Sequence, residues 1–349
     1  MIRENVALDD RYALESGRIL LSGIQALVRL PMLQARRDAA AGLDTAGFIS
    51  GYRGSPLGGL DQALWGASKY LDAAGVRFQP GVNEDLAATS VQGSQQVGLF
   101  PGARHDGVFG MWYGKAPGVD RSGDAFRHAN AAGTAPHGGV LALAGDDHGC
   151  KSSTLPSQSE YAFMDLGMPV LSPAGRPATS SNIGLLRLGA VAASAAAGLG
   201  LSGRSPTPCD STATVDAGEG PGILLPEDFR LPPGGLGIRL PDTPLEQEER
   251  LIEYKLPAAR AFARANGIDR LVVPSPQASL GIVATGKAWL DVCQALDRTG
   301  HLPERRGRAS AACMRLTKIG MPWPLDDATA SATSPADSIR CWSWRRSGP

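Results

Sequence analysis

The stretch Gly81-Val82-Asn83-Glu84-Asp85-Leu86-Ala87-Ala88-Thr89-Ser90 joins two different kinds of sequence. Before it runs Val76-Arg77-Phe78-Gln79, short and extended in character. After it, the alanine-rich residues 86–97 read as helix. Asn83 is placed to cap that helix. Glu84 and Asp85 fall in its first turn, where the positive end of the helix dipole favours acids. From the residues alone two readings stand. One is an ordinary acidic helix start, which composition favours. The other is a strand-to-helix carboxylate that faces a cofactor.

Working outward, the same alternation repeats. Ala46-Gly47-Phe48-Ile49 is a short apolar run that ends in the glycine-rich turn Gly51–Gly59. Helices are expected over 19–41, with Ser22 as cap and Pro31 kinking or dividing it, and over 60–73 and 120–132. Strands are expected at 76–79, 107–112, 139–144 and from Val170-Leu171. Strands alternating with helices predict an α/β fold with a parallel sheet covered on both faces. Function in such a sheet gathers at the carboxyl ends of the strands.

Residues 174–222 break this pattern. They hold an alanine-rich run and a Ser/Pro/Arg mixture without periodicity, and read as an irregular linker. Order returns at Ile223. A long helix is expected over 246–266, strands over 270–273 and 281–284, a helix over 288–296, and a strand entering a proline-fixed loop over 316–325. The tail, 326–349, carries no readable pattern.

The chain has 349 residues, with 34 basic and 34 acidic side chains. That balance offers no basic face for a nucleic-acid partner. No apolar run approaches a membrane span. The residues 1–5 lack the build of a signal peptide. A cytoplasmic protein is expected. The five cysteines are scattered, with no Cys-x-x-Cys pair, so neither a cluster nor a structural zinc is expected on this chain. Asp146, Asp147, His148 and Cys150 have ligand chemistry, but a group so tight in sequence rarely closes one coordination shell, and no metal site is expected.

Three stretches in this order carry a resemblance: Gly51-Tyr52-Arg53-Gly54-Ser55-Pro56-Leu57-Gly58-Gly59-Leu60-Asp61, then Gly81–Ser90, then Gly145-Asp146-Asp147-His148-Gly149-Cys150-Lys151-Ser152-Ser153-Thr154. Together they resemble the indolepyruvate ferredoxin oxidoreductase family, in the long single-chain bacterial form of the 2-oxoacid:ferredoxin oxidoreductases. The resemblance covers 1–173 and resumes over 223–325. It implies a thiamine-diphosphate pyrimidine-binding-type α/β domain at 1–173. It also implies an incomplete transketolase C-terminal-like α/β domain at 223–325. The implied activity is oxidative decarboxylation of an aryl or related 2-oxoacid, with coenzyme A as acyl acceptor and ferredoxin as electron acceptor, in a homodimeric full enzyme. An inactive truncated product and a non-redox decarboxylase or transketolase-type protein are the alternatives.

The resemblance also implies roles for residues. Glu84 matches the glutamate that hydrogen-bonds the cofactor's aminopyrimidine. Gly54, Ser55 and Pro56 match the first loop that lines the cofactor pocket. Arg53, which replaces the proline of many relatives, is a candidate for attracting a substrate carboxylate. Asp147 and His148 would lie on a loop near the active site, His148 either as a proton shuttle or as a solvated histidine. Lys115 and Arg121 have surface roles by default. Magnesium, the diphosphate and an iron–sulfur cluster would be held by domains absent from this chain. Weak cofactor binding and no turnover are therefore expected of this chain alone.

The ending Arg340-Cys341-Trp342-Ser343-Trp344-Arg345-Arg346 has no apolar face. Read in the neighbouring frame from the third base of the Arg340 codon, with G at that base, TCG for Ser343 and AGG for Arg345 and Arg346, it becomes Val-Leu-Val-Val-Glu-Glu, a buried strand ending in acids. A shifted reading frame is the expectation for this tail, and the same origin is considered for 174–222.

Overall fold

The expected alternation of strand and helix becomes an α/β architecture. The computed structural model describes residues 6–55, 57–147, 149–171, 200–204, 212–217, 224–227, 229–266, 270–273, 280–299, 311–316 and 339–343. In chain order its first part holds α1 (Asp10–Ala13), β1 (Arg18–Ser22), α2 (Gly23–Ala40), β2 (Thr45–Gly51), α3 (Leu60–Gly66) and α4 (Ser68–Ala73). Then come β3 (Val76–Phe78), α5 (Glu84–Ser94), β4 (Gly107–Lys115), α6 (Ala116–Arg121), α7 (Gly123–Ala132) and β5 (Gly139–Gly145). The part closes with α8 (Glu160–Asp165), β6 (Val170–Leu171), β7 (Gly200–Arg204) and β8 (Thr212–Asp216).

Six strands form one sheet in the order β3-β2-β4-β5-β7-β6. Every pairing in it is parallel. All carboxyl ends therefore lie along one edge. Helices cover both faces, so neighbouring residues of a central strand are buried in opposite directions. Met111 and Tyr113 of β4 pack with Leu27, Leu60 and Leu64. Trp112 packs on the other face with Val91, Phe126 and Phe163. This is why β4 and β5 read as continuous apolar runs.

Local signals set several boundaries. Ser22 accepts from the Gln25 N–H, and Gln25 accepts in return from the Ser22 N–H, a reciprocal cap that starts α2. Pro31 does not divide that helix. The expected helix start at 19 is corrected: residues 18–22 are strand β1, paired antiparallel with β8. Arg29, buried on α2, donates to the carbonyls of Arg11, Leu14 and Ala217, holding the segments before β1 and after β8 against that helix. Burial lowers the Arg29 pKa to about 10. The helix expected over 60–73 is broken at Ala67 into α3 and α4.

The stretch read as a linker contributes two of these strands. β7 inserts between β5 and β6, and β8 pairs with β1. Gly200-Leu201-Ser202-Gly203-Arg204 has a single large apolar side chain, so no pattern announces it. Backbone pairing with its neighbours makes it a strand. Residues 174–199 lie outside the described residues, as do Pro56 and His148.

Further along, the helix Pro244–Arg250 starts on a Thr243–Glu246 capping box. It runs through a π-helical turn, Leu251–Lys255, into the helix Leu256–Ala265. Pro257 explains the wide turn: it has no N–H to donate, and its ring crowds the preceding turn. This segment is tied to the first sheet's helices. Ile238 N donates to the Thr134 carbonyl at 2.8 Å. The buried Lys255 Nζ donates to the carbonyls of Ala131 and Ala132 at 2.8 and 3.1 Å, where α7 ends. Arg250 bridges to the Asp242 carboxylate and the Gly235 carbonyl, both at 2.7 Å.

A second sheet is formed by β9 (Arg270–Val273), β10 (Leu280–Thr285), β11 (Ala311–Leu316) and β12 (Ile339–Ser343), in the order β12-β10-β11-β9. Only its central pair is parallel; β9 and β12 run antiparallel to their neighbours. The helix Gly286–Arg298 follows β10. The tail read as patternless thus supplies one edge strand. No described helix is long and apolar enough to cross a membrane.

Candidate functional site

Because the first sheet is parallel, the loops after β2, β3, β4 and β5 emerge side by side. Hydrogen bonds join them. Gly81 N donates to the Gly51 carbonyl at 2.9 Å, and Tyr52 N donates to the Tyr113 carbonyl at 3.0 Å. Lys115 Nζ donates to the Ser152 carbonyl at 2.9 Å. The glycine-rich loop, the Glu84 loop and the Asp147 loop therefore meet at one end of the sheet. Glycine is needed at 51, because a Cβ there would run into the Tyr113 carbonyl and ring. The Tyr113 hydroxyl is pushed up from its ordinary pKa by burial and then by the nearby Asp61 carboxylate.

Glu84 is the first residue of α5, with Asn83 as its cap. Asn83 Oδ1 accepts from the Leu86 N–H at 2.8 Å. Trp112, fully buried, donates its indole N–H to the Glu84 carbonyl at 3.0 Å. The backbone at Glu84 is thus fixed by a cap and by a strand. The side chain is fixed by shape. A Cβ on Gly118 would stand 2.9 Å from both Cδ and Oε1 of Glu84, and one on Gly114 would stand 3.4 Å from its Cγ. Among the described residues, no side chain or N–H donates to the Glu84 carboxylate. The half-buried acid is held in a cradle and has no donor among the described residues.

Asp147 is arranged in the opposite way. Its carboxylate accepts from Lys151 N at 3.0 Å, from Ser152 N at 2.8 Å and from Ser152 Oγ at 3.2 Å. The Ser152 N–H above all holds its pKa down to about 2. Asp147 also bridges antiparallel to Ser157, and Cys150 takes a left-handed φ of 52° in the tight turn between. Asp146, buried, accepts from Ser159 N at 3.2 Å. These acids organise their own loop.

Residues 270–338 match the family model described as "Indolepyruvate oxidoreductase domain". No curated protein matches the chain. The match supports the indolepyruvate oxidoreductase family, an oxidoreductase family. It falls on the second sheet, not on the Glu84 loops, so it bears on the chain independently of them.

Of the sequence-predicted residues, Gly54, Ser55 and Glu84 stand on adjoining loops. Gly54 approaches Lys115 closely, a Cβ there lying 3.2 Å from the Lys115 Cβ. Arg53 and Ser55 are exposed. Asp147 lies on the neighbouring loop with its carboxylate already engaged. Arg121 is exposed at the end of α6. Sequence reasoning missed Trp112, Gly114 and Gly118. No sequence signal pointed to Gly118, because the expected helix began at 120 and only the structure places residues 116–121 in a helix of their own.

Proposed function

We propose that this chain is the pyrimidine-facing part of a thiamine-diphosphate-dependent, indolepyruvate-type 2-oxoacid:ferredoxin oxidoreductase. The observation that carries the reading is Glu84: a carboxylate held in a glycine cradle where three loops meet, with no donor of its own among the described residues. A group with an N–H to offer fits that acceptor. The residues present therefore suit the cofactor's aminopyrimidine edge. The family-model match in the second sheet supports the reading from a separate part of the chain.

Thiamine diphosphate, when bound, supplies the electron sink that a 2-oxoacid needs in order to lose carbon dioxide. The chain's own residues hold and orient. Glu84 accepts a hydrogen bond from the ring, and its niche beside buried Trp112 strengthens that bond. Gly54 and Ser55 line the pocket. Arg53 is free in position to attract a substrate carboxylate. Lys115 ties the carboxyl end of β4 to the Asp147 loop by its bond to Ser152. Coenzyme A takes the acyl group and ferredoxin takes the electrons. Magnesium, the diphosphate and the iron–sulfur cluster belong to other domains of a homodimeric cytoplasmic enzyme.

The test supplies those domains in trans from an indolepyruvate-type enzyme and follows 2-oxoacid-dependent dye reduction with coenzyme A present. The expected result is turnover with this chain and near-background rates with Glu84→Gln. Equal rates for the two chains would end the assignment.

A further inference from the structure

Gly118 poses a small puzzle in energetics. It lies within α6, and its backbone does not take a positive φ. An alanine would be the better helix former there by about 0.5–1 kcal/mol. Nothing in the local conformation calls for glycine. What does call for it is 34 residues back in the chain. A Cβ built on Gly118 would collide with the Glu84 side chain, reaching its Cγ and coming within 2.9 Å of Cδ and Oε1. The Glu84 backbone cannot retreat, since the Asn83 cap and the Trp112 indole hold it. Only the carboxylate can swing away.

We infer that Gly118 is a positioning residue for Glu84: the side chain it omits defines where the carboxylate stands. The consequence for catalysis rests on the reading of Glu84 as the cofactor-facing acid. The spatial claim does not. With alanine at 118, Glu84 turns to another rotamer and its carboxylate leaves the cradle while the fold persists.

A double-mutant cycle on this chain, without any cofactor, reads the claim directly. Thermal midpoints are measured for the parent, Gly118→Ala, Glu84→Ala and the double variant. In the Glu84→Ala background the obstacle is gone, and Gly118→Ala should raise Tm through helix propensity. In the parent background the same change should leave Tm unchanged or lower it. The two shifts should differ by about 2–8 °C. Equal shifts in both backgrounds would overturn the inference. If Gly118→Ala alone does not fold, recovery of a cooperative melt in the double variant supports the inference, and failure to recover overturns it. In the reconstituted dye-reduction assay, Gly118→Ala should lower turnover toward the level of Glu84→Gln. A coupled cycle with no turnover from the parent would break the thiamine reading and leave the positioning claim standing. An uncoupled cycle with a working parent would do the reverse.

Discussion

Glu84 and Asp147 are carboxylates on adjoining loops of one sheet edge, and they are held in opposite ways. Asp147 receives hydrogen bonds from three donors within five residues of itself. Its charge is used up in shaping a turn. Glu84 is fixed through its backbone and through the absence of side chains at Gly114 and Gly118, and its oxygens receive nothing from the described residues. A half-buried acceptor with no internal donor is costly to keep unless a ligand or water satisfies it. The difference separates an acid consumed by its own loop from one to which no described residue donates, although both read as acids in loops after strands.

The sharpest way to break this contrast is the pair of amides. Glu84→Gln should lower turnover in the reconstituted enzyme by ~10²–10⁴-fold, since an amide is a poor substitute for a carboxylate acceptor. Its melting temperature should stay close to the parent's. Asp147→Asn should do much less to turnover. If Asp147→Asn is the more damaging of the two in the dye assay, the roles have been assigned backwards.

Lys255 extends the contrast to a cation. It is buried and spends its donors on the carbonyls of Ala131 and Ala132, and burial lowers its pKa to about 8. The folded state therefore disfavours its charge. Below about pH 8 both folded and unfolded chains hold the proton, and the full penalty of about 3 kcal/mol applies. Between about 8 and 10.5 only the unfolded chain keeps it, so this group's contribution to stability rises with pH. Lys255→Met removes that rise. Urea melts of parent and variant at pH 7 and pH 10 should differ from each other by a gap that changes by up to about 3 kcal/mol. A gap independent of pH would show that Lys255 titrates normally.

Trp112→Phe probes how Glu84's backbone is held. It keeps an aromatic ring against Phe126, 4.8 Å away in an edge-to-face contact, and removes the N–H that reaches the Glu84 carbonyl. A loss of about 1–3 kcal/mol is expected from the bond and the lost volume. Reconstituted turnover should fall as well. Unchanged turnover would mean that the Asn83 cap alone suffices.

The smallest effect is local. The Asp147 pKa is depressed, so the order its ionised form gives to Lys151 and Ser152 is fully present above about pH 4. That order is lost as pH falls through about 2. Hydrogen exchange at the Lys151 and Ser152 amides should speed up in Asp147→Asn at neutral pH with little change in global Tm. Unaltered protection there would contradict the assignment of Asp147 as the loop's organiser.

Much of the layout was legible because it depends on neighbours in sequence. The Ser22 cap, the Asn83 cap and the buried runs of β2, β4 and β5 all follow from residues within a few positions of one another. The same locality explains the misses. Ile19-Leu20-Leu21 fit a helical spacing as well as a strand, and only pairing with Thr212–Asp216 decides for the strand. β7 has no apolar pattern and is a strand through its backbone pairing with β5 and β6. β12 holds an edge by backbone pairing with β10.

The sequence by itself placed an acid at a capped helix start, between a glycine-rich turn and a hydroxyl-rich loop, in a chain of alternating strands and helices. Capping, turn chemistry and periodicity act over one or two turns of chain, so they are written locally. Tertiary structure decided the rest: which acid receives no bond from the described residues, which is consumed, and why glycine stands at 118. Those outcomes depend on contacts such as Trp112 to Glu84, which lie 28 residues apart. A parallel sheet brings them within bonding distance, and no local pattern records it.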